Sequence, residues 1–353
     1  MATLHVGGLE RMVLTLCVEG RSKGLQSRVF AYTEDGDFRR TLESSGVTVR
    51  YFPTNPGVRW GLARRLAREL RQKRVDVLHT HHVGPFLYGG IAAKFAGIPV
   101  VHTEHSRELY DTPRPRLIGR TMPALARVVC VSNELASWRR ENFGDSPLVI
   151  PNGVSIPTLD PHARTRARQE LGLHEGHIAI GCVARFVPEK DHNTWVRAFA
   201  HAHQRVPNLR GVLIGWGPTT EPTRTLIEEL QLSDAILMMG GRNDVEDLLP
   251  GFDAISLSSV REGLPLALLE GMARGLPVIS TNVGEIGALV GESCGSVCAA
   301  SAPEALGDLF AGLVDGEARK RHGEAARQSA IAHYSSNAMV SAYAALYREV
   351  TAK

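Results

Sequence analysis

Twelve short runs of aliphatic and β-branched residues alternate with longer amphipathic stretches, and this alternation constrains the fold more than any other feature of the sequence. SRVFAYT, VTVRYF, VDVLHT, IPVVHT, ARVVCVS and PLVIP form a first series; HIAIGCVA, LRGVLIG, DAILMMG, DAISLSS, LPVIS and GSVCA form a second. Runs this apolar, separated by helix-length patterns such as Gly61–Arg74 and Pro85–Phe95, predict parallel sheets covered by helices on both faces. Two series predict two doubly wound domains, each with a ligand crevice at the carboxyl ends of its strands. The length of 353 residues suits two domains. The boundary falls in IPNGVSIPTLDP, Ile150–Pro161, dense in Pro, Gly and Asn. This gives domains of 1–155 and 156–334, followed by a helical tail with Tyr343 and Tyr347 on one face.

One strand is missing from this scheme. A doubly wound domain begins with a central strand, yet MATLHVGGLERMV enters a glycine turn and a helix almost at once. Met1–Val6 supplies at most the end of that strand, so Met1 is expected to be an internal methionine and the first strand absent or incomplete.

Charge and composition narrow the function classes. Hydrophobic residues make up 43%, enough for real cores, and no run of 18 apolar residues predicts a transmembrane helix. The N-terminus lacks the basic and apolar regions of a secretory signal, so a cytosolic protein is expected. Five scattered cysteines read as reduced, mostly buried small side chains; Cys294 and Cys298 alone make a weak metal pair. The net charge of +3 divides into +8 for residues 1–155 and −5 for the rest. Much of the excess sits in Arg59–Arg74, where Leu62, Leu66 and Leu70 form one apolar stripe on a basic helix. That helix reads either as a surface helix with a solvated face or as a patch for anionic lipid headgroups or an acidic acceptor. No aromatic and basic signature of nucleic-acid binding accompanies it.

Two stretches carry chemistry. REGLPLALLEGMARGLPVIST, Arg261–Thr281, sets Glu262 and Glu270 eight residues apart on a strand-loop-helix turn bent by Gly263 and Pro265. The helix N-terminus there offers open backbone N–H groups to an anion. ARFVPEKD, Ala184–Asp191, sets Arg185 and Lys190 just past a strand and before a helix, the outline of a diphosphate site. Each has a plainer reading as solvated surface charge.

In this order, with GGLER at Gly7–Arg11, HTH at His79–His81, HTEHS at His102–Ser106, VSN at Val131–Asn133 and IPNGV at Ile150–Val154, the chain resembles the GT-B glycosyltransferases of family 4. VPEK at Val187–Lys190, GWGP at Gly215–Pro218 and GRNDV at Gly241–Val245 extend the likeness over nearly the whole chain. The resemblance implies two Rossmann-like domains facing a central cleft, with a C-terminal helix, 335–353, crossing back to the first. It implies a retaining transferase that needs no metal and no cofactor and takes its sugar from a UDP- or GDP-linked donor. Arg185 and Lys190 match the pair that neutralises the donor diphosphate. Glu270 matches the residue on the ribose hydroxyls and Glu262 the one near the transferred sugar. Gly263, Leu264, Pro265 and Leu266 match backbone that reaches sugar and phosphate. Gly7 and Gly8 match the glycine loop of the first domain, His105 the histidine facing the reacting sugar, and Gly241–Val245, with Arg242 and Val245, the segment that holds the base. The catalytic set is therefore Glu262, His105, Arg185 and Lys190.

The chain departs from the family pattern in places. Trp216 stands where an acid is usual, Gly271 where alanine is, and Asn282-Val-Gly-Glu285 carries one glycine in place of two. Asp35-Gly-Asp37 mimics the metal motif of another transferase fold but reads as a solvated turn. GWGP lacks the third glycine of a dinucleotide fingerprint, and the histidines at 79, 81 and 82 cannot supply a full metal set from one turn. The expected acceptor is a glycan or lipid-linked glycan in polysaccharide or glycoconjugate synthesis, with peripheral contact at the inner membrane face through the basic first domain. Two alternatives stay open: a GT-B nucleotide-sugar epimerase, and a non-catalytic nucleotide-sugar-binding subunit.

Overall fold

The computed structural model describes Leu4, residues 7–31, Gly36, and residues 38–52, 60–107 and 110–352. Asp35 and Asp37, and all of Met1–Val6 but Leu4, lie outside them. Two compact units result: Met1–Gly153 with Ser336–Lys353, and Val154–Ser335.

Unit 1 runs α1 (Gly8–Glu19), β1 (Arg28–Ala31), α2 (Phe38–Ser44), β2 (Thr48–Tyr51), α3 (Trp60–Gln72), β3 (Leu78–His81), α4 (Val83–Ala96), β4 (Val100–Glu104), α5 (Pro113–Leu125), β5 (Arg127–Cys130), α6 (Asn133–Phe143) and β6 (Leu148–Val149). Every strand coincides with one of the apolar runs, β3 and β4 extending one residue past theirs to His81 and Glu104, and every pairing is parallel. The strands divide into two sheets, β1-β2 and β3-β4-β5-β6, with no strand joining them among the described residues. Among the described residues no central strand stands between β1 and β3. On α3 the stripe Leu62, Leu66 and Leu70 is buried in a core shared with Phe86 of α4, while Arg64, Arg65, Arg68 and Arg71 are exposed. Burial of three leucines fixes this helix to the domain, at about 1.5–3 kcal/mol each.

Unit 2 runs α7 (Ala163–Glu170), β7 (Ile178–Val183), α8 (His192–His203), β8 (Leu209–Ile214), α9 (Thr220–Glu229), β9 (Ile236–Met238), α10 (Val245–Leu248), β10 (Ala254–Leu257), α11 (Leu266–Ala273), β11 (Val278–Thr281), α12 (Ile286–Val290), β12 (Gly295–Cys298), α13 (Pro303–Ala311) and α14 (Gly316–His333). Its six parallel strands are ordered β12-β11-β10-β7-β8-β9. The chain moves outward from β7 to β9, then returns to lay β10 on the other side of β7. That reversal opens a crevice at the carboxyl ends of β7 and β10. Beneath it Trp195 of α8, fully buried, donates from Nε1 to Ser256 Oγ of β10 at 3.2 Å and stacks on Phe199.

The last helix, α15 (Ser336–Thr351), belongs to unit 1. The face carrying both tyrosines meets the sheet: Tyr343 Oη is 2.9 Å from Thr103 Oγ1 and Tyr347 Oη is 2.6 Å from His79 Nδ1. All five cysteines are free thiols, four of them buried and Cys298 half-buried. No helix among the described residues is long and apolar enough to cross a membrane.

Candidate active site

The loops leaving β7 and β10 are built as one piece. Ser258 Oγ donates to the carbonyls of Lys190 (3.0 Å) and Asp191 (2.8 Å), and Val260 N donates to Glu189 O at 2.9 Å. Asp191 sits at φ 43°, a left-handed conformation its short polar side chain tolerates, and caps α8 by accepting from Thr194 N and Thr194 Oγ1. Across this junction Lys190 Nζ pairs with Glu262 Oε1 at 2.5 Å, and Ser259 Oγ donates to the same oxygen at 2.6 Å. Glu262 is 7% exposed and Lys190 20%, so the pair is shielded but open on the lysine side. Arg185 is exposed, and its guanidinium has no ion pair or hydrogen bond among the described residues. A fixed cation and a free one thus stand at the strand exit.

Helix α11 starts over the same crevice. Pro265 is its extended N-cap residue and supplies no side-chain cap, leaving the N–H groups of the first turn for an anion. Glu270 lies half-buried in the second turn, where its carbonyl accepts from Arg274 Nη1 at 3.2 Å. Two glycines let other loops press in. Gly284 has φ 56°, and a Cβ there would lie 2.1 Å from Glu262 O; the neighbouring Glu285 N donates to Gly263 O at 3.2 Å. Gly215 has φ 145°, and a Cβ there would lie 1.9 Å from Ala184 O. Trp216 itself is 73% exposed, and its carbonyl accepts from Phe186 N at 3.0 Å.

The structure therefore brings together Arg185, Lys190, Glu262, Gly263, Pro265 and Leu266. It engages the side chains of the segment expected at the base elsewhere. Arg242 is held by Asp244 at 2.5 Å and Glu170 at 3.2 Å, and Val245 is buried at the start of α10. The backbone of Gly241–Val245 and the exposed side chain of Asn243 remain for a ligand. Ser258 and Ser259 escaped the sequence reading, although hydroxyls directly after an apolar strand were a legible signal. His192 escaped it as well. Its buried ring stacks on Phe186 with centroids 4.0 Å apart, and burial, aided by the Lys190 charge, lowers its pKa to about 4.

In unit 1, Gly8 opens α1, with Gly7 as N-cap in extended backbone. His105 follows β4, and its Nε2 lies 3.1 Å from His81 Nδ1. Burial, then the neighbouring His82 and His79, drives the His105 pKa well below the ordinary histidine value, so this ring is neutral. His79 is clasped between Tyr347 and Thr103 (2.7 Å) and works as a brace for α15. A buried network missed from sequence supports the same strand. Arg139, fully buried, donates to Glu104 Oε1 (3.1 Å) and Asp145 Oδ2 (2.5 Å), and Glu104 Oε1 is 3.1 Å from His102 Nε2. Burial alone would raise the Glu104 pKa, but His102 and Arg139 hold it below its ordinary value.

Comparison with known proteins decides the family. The family described as Glycosyltransferase Family 4 matches residues 6–156, and Glycosyl transferases group 1 matches residues 163–329. The chain belongs to the GT-B glycosyltransferases of these two families. Within them it is 30% identical over 234 residues to the Escherichia coli protein named UDP-Gal:alpha-D-GlcNAc-diphosphoundecaprenol alpha-1,3-galactosyltransferase, covering 62% of this chain and 60% of that one. It is 27% identical to the N-acetyl-alpha-D-glucosaminyl L-malate synthase of Bacillus anthracis, over 82% of this chain and 78% of that one. Its fold matches the crystal structure of Anabaena Alr3699/HepE in complex with UDP and glucose, with a TM-score of 0.86 and 20% identity, over 99% of this chain and 100% of that one.

Proposed function

We propose that this glycosyltransferase retains anomeric configuration and moves a sugar from a UDP- or GDP-linked donor to a glycan or lipid-linked glycan acceptor. The observation that carries the reading is the convergence of Arg185, Lys190 and the open start of α11 at the carboxyl ends of β7 and β10. Breaking the bond between the sugar C1 and the diphosphate oxygen leaves charge on the diphosphate. Preorganised cations and N–H dipoles stabilise that charge best, and here they would do so without a metal. The new bond joins the acceptor oxygen to C1 on the face the leaving group vacates, and the acceptor proton passes to the departing phosphate. Glu262 is already committed to Lys190 and Ser259, which suits a role on sugar hydroxyls better than that of a covalent nucleophile. Glu270 is assigned to the ribose and His105, as a neutral ring, to the transferred sugar. The bound UDP of the Anabaena protein and the diphosphoundecaprenol in the E. coli protein's name support the donor and acceptor classes. The exposed arginines of α3 support a peripheral contact with anionic lipid at the inner membrane face.

The test is transfer from UDP- and GDP-sugars to lipid-linked and free glycan acceptors, with the product anomer read by NMR. A product of the donor's anomeric configuration is expected. An inverted product, or a trapped glycosyl-Glu262 adduct, would overturn the mechanism. Conversion of donor without acceptor would instead mark an epimerase, and nucleotide binding without turnover a binding subunit.

A further inference from the structure

Unit 2 leaves one large aromatic ring in the open beside the proposed nucleotide site. Trp195, Phe186, Phe199, Phe252 and Phe310 of the same unit are all buried, whereas Trp216 is 73% exposed. Burying an indole is among the larger hydrophobic gains a side chain offers, so an exposed one at a strand exit asks for a partner. Its main chain is fixed on both sides. Phe186 N, one residue past Arg185, donates to Trp216 O at 3.0 Å, and Thr219 N donates to Phe186 O at 3.0 Å. On the other side Gly215 N donates to Gly240 O at 2.8 Å. Trp216 thus spans the gap between the loop that carries Arg185 and the segment Gly241–Val245. The ring is seated as well. A Cβ on Gly241 would lie 2.7 Å from Trp216 Cδ1 and 3.4 Å from Nε1, so the pyrrole edge of the indole rests on Gly241 and a side chain there would displace it. The rest of the ring is open.

We infer that Trp216 is the platform on which the nucleobase of the donor stacks, and so a specificity-determining residue. The inference rests on the reading of the β7–β10 exit as a nucleoside diphosphate site. A ligand with its phosphates at Arg185 and Lys190 carries its base to a loop at the same strand ends. On the β11 side the loop at Gly284 is pressed onto Glu262 O, while on the β8 side the indole lies open. The side chains of Arg242 and Val245 are engaged elsewhere, so the edge of the base is left to backbone and Asn243, and its flat face still needs a partner. An aromatic ring serves the face of any base, at about ten-fold or more in affinity. The acid usual at this position in the family pattern offers no such face, which makes the platform a property of this chain.

The test is calorimetric titration of the wild type, Trp216→Leu and Trp216→Phe with UDP, GDP and ADP, beside tryptophan fluorescence of the same samples. For the nucleotide the wild type prefers, Trp216→Leu is expected to bind about ten-fold more weakly and Trp216→Phe within about three-fold of the wild type, since only the second keeps an aromatic face. Saturating nucleotide is expected to quench the fluorescence of the wild type, and that change to vanish in Trp216→Leu. Equal affinity of the wild type and Trp216→Leu overturns the inference and leaves the reading of the site standing. Equal losses in both variants overturn it too, because they mark support of the loop in place of stacking. A wild type that binds none of the three nucleotides overturns the reading of the site, and the inference with it. If the variants do not fold, the wild type decides alone: bound nucleotide without a fluorescence change overturns the inference.

Discussion

Lys190 does two things at once, pairing with a nearly buried carboxylate and presenting a cation at the exit of β7. Lys190→Ala is expected to weaken nucleoside diphosphate binding about ten-fold or more, because a hydrogen bond to a charged group is worth about 1.5–3 kcal/mol. It is also expected to lower the melting temperature of unit 2, since Glu262 loses its counter-ion. Calorimetric titration with UDP and GDP checks this; unchanged affinity for both would remove Lys190 from the site. His79 gives a pH signature to unit 1. Burial, with the nearby His102, lowers its pKa from 6.5 to about 3, so the unfolded chain takes up the proton first. Stability is then full above about pH 6.5 and falls as the pH drops toward 3, by about 1.4 kcal/mol per pH unit for each such ring. Denaturant unfolding of unit 1 at pH 7.5 and 5.5 is expected to show the loss, and His79→Gln to shallow it; equal slopes would contradict this. Arg185, Lys190 and Glu262 could be placed near strand exits from sequence because charged residues follow apolar runs there; Glu270 instead sits on α11. The Arg139 network was not legible, since Arg139 meets Glu104 35 residues away, a contact no local pattern encodes; Ser258 and Ser259 stood directly after an apolar run, but the Lys190 carbonyl that Ser258 engages lies 68 residues away.

At the scale of elements, the crevice depends on loops that come closer than a side chain allows. Gly284 presses its backbone onto Glu262 O, so Gly284→Ala combines a left-handed backbone with a Cβ at 2.1 Å. The expected cost is about 1–3 kcal/mol of unit 2 stability together with displaced Glu262 and weaker nucleotide binding. Thermal unfolding and nucleotide titration of the variant check both; wild-type values in each would show that the loop can shift freely. The elements themselves were readable, because each of the twelve strands coincides with an apolar run to within a residue at its end. Hydrophobic period also placed α3 and α15. Their partners were less legible: the tyrosines of α15 declare a buried face, but only folding reveals that His79 and Thr103 receive it.

At the scale of the molecule, the chain forms two parallel α/β units of opposite charge. The second unit carries Arg185, Lys190, Glu262, Glu270 and the start of α11, and the first carries His105, Gly8 and the exposed arginines of α3. The central claim is that the β7–β10 exit is a nucleoside diphosphate site. The most direct measurement is a thermal-shift titration with UDP, GDP and ADP, run on the wild type and on Arg185→Ala and Glu270→Ala. Ligand at 100 times its dissociation constant is expected to stabilise the wild-type site by about 2.7 kcal/mol. One nucleotide should give that shift, and both variants should lose most of it. No shift with any of the three, or an equal shift in both variants, would contradict the account.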